Sequence, residues 1–137
     1  MTSDFLYDYI GKHKLAVIST VDKDGNPQSA VIGIAVNRKL EIVFDTLNTS
    51  RKYANILRHA KVSLVIGWND ESTVQYEGVA ATLGDEGNEY KELYYSVFPD
   101  GRQRAKTWAG LAHFKVSPLW IRYSDFNEPQ QVEEMKF

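Results

Sequence analysis

The residues best arranged for chemistry lie in one short stretch, Phe44-Asp45-Thr46-Leu47-Asn48-Thr49-Ser50-Arg51-Lys52. Ile42, Val43 and Phe44 form an apolar, β-favouring run that leads into a polar turn. Thr49 or Ser50 then supplies a helix cap, and Tyr53, Ala54, Ile56 and Leu57 follow at helical spacing. The first turn of a helix has unpaired N–H donors and the positive end of the helix dipole. Arg51 and Lys52 stand in that turn, where cations oppose the dipole unless an anion joins them. Hydroxyls, backbone N–H groups, a guanidinium and an ammonium together suit a phosphate. The alternative is an ordinary capped helix with two solvated charges.

Other candidates are more scattered. Gly33 interrupts the β-branched run Val31-Ile32-Gly33-Ile34. Either the strand bends there, or the missing side chain lets a flat ligand approach the backbone. Trp108, beside Lys106 and Thr107 in an irregular basic stretch, is the best stacking candidate of the three tryptophans. His13, His59 and His113 show no metal-ligand spacing, so no metal site is expected. The serines lack a nucleophile-elbow context, and Asp45 and Glu77 do not establish a carboxylate pair. Neither of the common glycine-rich phosphate motifs is present, so a bound phosphate would be held by Thr46 to Lys52.

The 137 residues favour one domain, 1–137, with a proper core. A formal net charge of −2 argues against a nucleic-acid partner. With no Cys, disulfides and thiolate chemistry are excluded. No apolar run approaches membrane-spanning length, and the start Met1-Thr2-Ser3-Asp4 lacks a basic-then-apolar pattern. A cytoplasmic protein without membrane association is expected.

Hydrophobic periodicity predicts the elements that position these residues. A helix is expected over Ser3–Ile10, capped by Ser3 or Asp4, and strands over Leu15–Val21 and Gln28–Val36 joined by a turn at Asp24-Gly25. A third strand, Leu40–Asp45, leads to the helix from about Ser50 to His59. Strands Val62–Trp68 and Thr73–Leu83 follow, with Glu77-Gly78 marking a bulge or a close backbone approach. A helix is predicted over Asp85–Val97, and the last strands, 111–116 and 119–123, are expected to break at Ser117-Pro118. The tail beyond Asp125 reads as loosely held or packed on a partner. The sum is a mainly β, α+β fold: a six-stranded antiparallel barrel with short flanking helices.

The order of hairpin, third strand, Phe44-Asp45-Thr46-x-x-x-Ser50-Arg51-Lys52, helix and Val62-Ser63-Leu64-Val65 resembles the pyridoxamine 5′-phosphate oxidase-like family of FMN-binding split β-barrels. The turn Asp24-Gly25-Asn26-Pro27 and the closing Phe114-to-Tyr123 segment are similar to that family as well. The resemblance covers about residues 12–125 and implies a cofactor site. Arg51 and Lys52 would bind the FMN phosphate, with Thr46 and Ser50 adding hydrogen bonds and Asp45 in the same element. Ala30 to Ala35, with Val31, Ile32 and Gly33 at its centre, would run beside the isoalloxazine ring. The resemblance also implies a homodimer with each flavin at the subunit interface.

This sequence departs from the oxidase pattern at three matched positions. Ala30 and Ala35 stand where the oxidase has Arg and Lys, and Thr73 where it has Gln. The oxidase's C-terminal Arg-Leu-His substrate element has no counterpart. The expectation is an FMN-binding oxidoreductase of unknown small-molecule substrate, with no catalytic side chain assigned. The alternatives are a flavin-binding stress or sensor protein, a relative that uses deazaflavin F420, and a cofactor-free structural dimer.

Overall fold

The computed structural model describes residues 1–84 and 88–137. In chain order the elements are α1 (Ser3–Gly11), β1 (Leu15–Val21), β2 (Pro27–Gly33), β3 (Ala35–Val36), β4 (Ile42–Leu47) and α2 (Arg51–Arg58). They continue as β5 (Lys61–Ile66), β6 (Ser72–Thr82), α3 (Asn88–Val97), α4 (Asp100–Thr107), β7 (Leu111–Asp125) and β8 (Gln131–Lys136). The strands form one antiparallel sheet in the order β2-β1-β5-β6-β7-β4-β3, with β8 added to β7. Its two ends, β2 and β3, are successive segments of one chain separated by Ile34, so the sheet curls into a split barrel.

The class is the expected one, but eight strands replace the predicted six. The predicted strand Gln28–Val36 is two segments. Strand Leu40–Asp45 begins two residues late, because Leu40 has φ 62° and cannot join a ladder. Pro118 does not break the last strand, since β7 runs through fifteen residues. The β6–β7 register shifts between Glu77 and Gly78, where Gly78 faces Pro118 and Glu77 faces Trp120. Leu119 is the extra residue, and the bulge absorbs the proline that lacks a ladder N–H. The expected close approach at Gly78 is present: a Cβ there would lie 2.5 Å from the Ser117 carbonyl oxygen. The tail is not loose, because β8 pairs with Trp120–Asp125, and Glu134 receives Arg122 and Trp120.

Helix ends follow local chemistry. Thr2, not Ser3 or Asp4, caps α1 by accepting from the Phe5 N–H. Gly67, with φ 80°, ends β5 before Trp68. The basic stretch after Pro99 is helix α4. Of the predicted helix Asp85–Val97, residues Asp85, Glu86 and Gly87 lie outside the described residues.

The main core fills the barrel. Ile18, Ile34, Phe44, Leu64, Tyr76, Phe114 and Ile121 are fully buried, with Leu6 and Ile10 from α1 and Ile56 from α2 packed against them. The Tyr76 hydroxyl donates to the carbonyls of Leu40 and Val116 at 2.7 and 3.1 Å, which fixes the strained turn before β4. A second layer lies outside. Ala35, Val43 and Tyr94 form its buried centre, with Leu93, Tyr95 and Phe98 around them, so α3 packs on the outer face of β3 and β4. Beneath α3, His113 of β7 is 5% exposed, and the rings of Tyr94 and Tyr95 meet it edge-on. Burial, with the nearby charges of Lys91 and Arg104, lowers the His113 pKa from its ordinary 6.5, against the opposing pull of Asp45.

These contacts make two predictions about stability. Tyr76→Phe leaves two buried carbonyls without their donor and should cost about 2 kcal/mol, read as a lower urea midpoint at unchanged slope. His113 stays neutral in the fold where the unfolded chain binds a proton. Unfolding therefore takes up protons as pH falls through 6.5, and stability declines in that window down to the folded pKa. His113→Gln should flatten this part of the urea-midpoint profile; a profile as steep as the wild type's would refute the assignment.

Candidate functional site

The turn from β4 into α2 is built by local hydrogen bonds. Ser50 is the N-cap of α2, with extended backbone (φ −74°, ψ 154°), and its hydroxyl accepts from the Tyr53 N–H at 3.4 Å. The Thr46 hydroxyl lies 2.9 Å from that of Ser50. If Thr46 donates to Ser50, the Ser50 proton remains free for a ligand. No acidic residue stands in the first turn of α2, so the helix dipole is not neutralised from within.

Arg51 and Lys52 begin the helix. Arg51 is exposed and Lys52 half-buried. Among the described residues, neither makes an ion pair within 4 Å. Burial holds the Lys52 ammonium below its ordinary pKa, and the charge of Asp45 only partly offsets this. The two cations share a cavity of about 80 Å³ with Ile18, Thr20, Gln28, Ser29 and Ala30, at the end of the barrel that α2 closes. Ligand pockets usually measure roughly 300–1,000 Å³, so one chain encloses room for a small anionic group and little more.

Sequence reasoning missed the polar frame of this cavity. Asn55, buried on α2, donates through its amide to the Thr20 hydroxyl at 3.0 Å and to the Gln28 side-chain carbonyl at 2.9 Å. These bonds tie α2 to β1 and β2. They also consume the Gln28 acceptor, leaving its NH₂ group as a donor beside Arg51 and Lys52. No signal in the sequence marked Asn55: the apolar spacing of Tyr53, Ala54, Ile56 and Leu57 pointed to a face on which Leu57 is 59% exposed, whereas α2 turns Asn55 and Ile56 inward.

The other singled-out residues fall in distinct places. Among the described residues β2 pairs with β1 alone, so the second edge of the segment holding Val31, Ile32 and Gly33 has no strand partner there. Ile32 points into the core, whereas Val31 faces outward and is 64% exposed. At Gly33, a Cβ would come within 2.8 Å of the Phe98 ring. The missing side chain thus makes room for an aromatic residue of the same chain, and the strand breaks at the next residue. Asp45 and Thr46 point to opposite faces of β4, and Asp45 lies among α3 and α4. Trp108 caps α4, half-exposed. Two residues further on, the Gly110 carbonyl accepts from the Asn48 N–H at 2.8 Å, which joins the chain after α4 to the α2 turn.

Thr73 does not join this group within one chain. It pairs with Ser124, whereas Thr46 pairs with Ala112, twelve residues earlier on β7. At about 3.3 Å per residue this is ~40 Å along the strand. The Thr73 hydroxyl is buried without a hydrogen-bond partner. Among the described residues, no helix is long and apolar enough to cross a membrane.

Comparison with known proteins places this architecture. A heme binding protein from Mycobacterium smegmatis has a TM-score of 0.82 at 11% identity, over 99% of this chain and 58% of that one. The present chain therefore spans little more than half the length of that protein. General Stress Protein 26 from Bacillus anthracis gives 0.74 at 19% identity, over 98% of each chain. A pyridoxamine 5′-phosphate oxidase-related, FMN binding protein from Nostoc punctiforme gives 0.68 at 11%, over 90% of this chain and 86% of that one. At these identities the likeness concerns the fold alone. No curated protein matches the chain. The sequence model described as pyridoxamine 5′-phosphate oxidase matches residues 3–125, nearly the whole sequence, and so this chain belongs to the pyridoxamine 5′-phosphate oxidase family.

Proposed function

We propose that this protein binds FMN as a homodimer and serves as an oxidoreductase for a small organic molecule. The observation that carries the reading is the pair of cations Arg51 and Lys52, without an ion-pair partner among the described residues, at a helix start capped by the Ser50 hydroxyl. A phosphate there would meet the guanidinium fork, the ammonium, the Ser50 hydroxyl and the first N–H groups of α2. It would also oppose the desolvation that lowers the Lys52 pKa. The Gln28 amide and the walls at Ile18 and Ala30 would orient the group and keep water from it.

The rest of the cofactor would extend along the free edge of β2, where unpaired backbone groups can meet the polar rim of a flavin ring. Val31, Val17 and Val65 lie in register on the outer faces of β2, β1 and β5, with Leu15 beside Gly33. Val31, Leu15 and Val65 are exposed, which makes this apolar row the natural seat of a second copy. A second copy would enlarge the cavity, and its strand β6 would bring Thr73 toward the flavin that the first copy holds by its phosphate. The bound flavin would supply electron exchange with substrate, while the chain supplies binding and orientation. The competing reading is a flavin-binding stress or sensor protein without turnover.

Arg51→Ala with Lys52→Ala should weaken FMN by at least about a hundredfold, since each charge-assisted bond is worth about 1.5–3 kcal/mol. Riboflavin, which lacks the phosphate, should bind both proteins equally. Equal FMN affinity in both would refute the phosphate assignment, and a protein that takes up no FMN would refute the whole reading. Val31→Asp should turn a particle of twice 15.6 kDa into one of that mass by light scattering. Anaerobic reduction of bound FMN by NADH or NADPH, followed by fast reoxidation by an organic acceptor, separates the enzyme from the stress or sensor protein.

A further inference from the structure

Asp45 directly precedes Thr46, yet strand alternation turns its side chain to the opposite face, under α3 and α4. Its Oδ1 accepts from the Tyr94 hydroxyl at 3.0 Å, and its Oδ2 lies 3.6 Å from Nη2 of Arg104. One carboxylate oxygen is thus hydrogen-bonded from α3, while the other, buried without a hydrogen-bond partner among the described residues, faces the Arg104 charge at ion-pair distance. The Arg104 and Asp45 side chains are only 27% and 14% exposed, so solvent screens this pair less than a surface bridge. His113, the cross-strand neighbour of Asp45, is held neutral near pH 7 by burial and does not compete as a cation.

Arg104 carries the connection onward. Its guanidinium carbon stands 5.8 Å from the Trp108 ring centroid, and its carbonyl accepts from the Trp108 N–H at 2.8 Å. Two residues later Gly110, with φ 79°, is pressed against Asn48: a Cβ at Gly110 would lie 2.5 Å from Asn48 Oδ1. The segment after Trp108 is thereby tied to the turn that leads to Ser50, while the Trp108 indole has the Arg104 guanidinium beside it.

We propose that Asp45 is a positioning residue: through its ion pair with Arg104 it holds the Trp108 indole beside the Asn48–Ser50 turn, as a wall for a flat ligand anchored at Arg51 and Lys52. A direct contact of Asp45 with a phosphate is excluded by its charge and by the face it occupies. The identity of the ligand rests on the flavin reading; the link from Asp45 to Trp108 does not. Asp45 joins two halves of one site, since the strand that carries Thr46 also fixes the helix that ends at Trp108.

The test uses Trp108 as the only tryptophan, in a Trp68→Phe, Trp120→Phe background. Asp45→Asn keeps an acceptor for Tyr94 but removes the charge that Arg104 needs. Asp45→Asn and Arg104→Gln should each lower Trp108 anisotropy and raise its acrylamide quenching, with the double variant no worse than either single one. If the background fails to fold, the Trp108 signal is taken from wild type minus Trp108→Phe. With FMN as probe, Asp45→Asn and Trp108→Ala should each weaken binding about fivefold, and together no further. Unchanged anisotropy in folded Asp45→Asn and Arg104→Gln overturns the proposal, as does unchanged FMN affinity in Asp45→Asn. If the wild type takes up no FMN, the flavin reading fails and the anisotropy measurement alone decides whether Asp45 positions Trp108.

Discussion

The structure depends on one strand that serves three neighbours. β7 pairs with β6 along most of its length, with β4 through its first half and with β8 through its second. A strand has only two edges, so β4 and β8 must share one of them end to end. The twist that this arrangement requires is concentrated at the bulge opposite Gly78, where the Ser117 carbonyl comes so close that no side chain fits. β4 is hung on the curled half of β7, and α2 starts where β4 stops. The position of Ser50 and its two cations is thus a consequence of how β7 bends.

Charge is divided between the two faces of β4. On one side of Thr46 lie Ser50, Arg51 and Lys52, with no acid in the first turn of α2. On the other, Asp45 accepts from Tyr94 of α3 and faces the Arg104 charge of α4. Alternation along the strand separates an electropositive recess from a carboxylate that would repel the same anion, although the residues are adjacent in sequence. The half-buried Lys52 lies within the influence of both.

What was legible in the sequence was mostly local. The Asp24-Gly25 turn and strand β1 fall where alternation put them, and α2 lies within one residue of its expected span because a Ser cap marks its start. The bulge at Glu77-Gly78 could be read because a glycine inside a strand weakens it, and so marks a bulge or a close backbone approach. Leu40 could not, since nothing in its type announces a positive φ that is fixed by a distant Tyr76 hydroxyl. The acidic tail looked unstructured because its pairing partners, Arg122 and Trp120, are remote in sequence. Site residues divide in the same way. Ser50, Arg51 and Lys52 stand together because they start one helix. Gln28 and Asn55 became visible only once β2 and α2 were packed, and the separation of Thr73 from Thr46 follows from the β7 register.

The contact between Gly33 and Phe98 bears on how this chain can vary. The two positions divide a single volume, one on a strand and one just beyond a helix. A side chain gained at 33 must push the Phe98 ring aside or be matched by a smaller residue at 98. Substitutions at the two sites should therefore arise together, and the order in which they occur should be constrained.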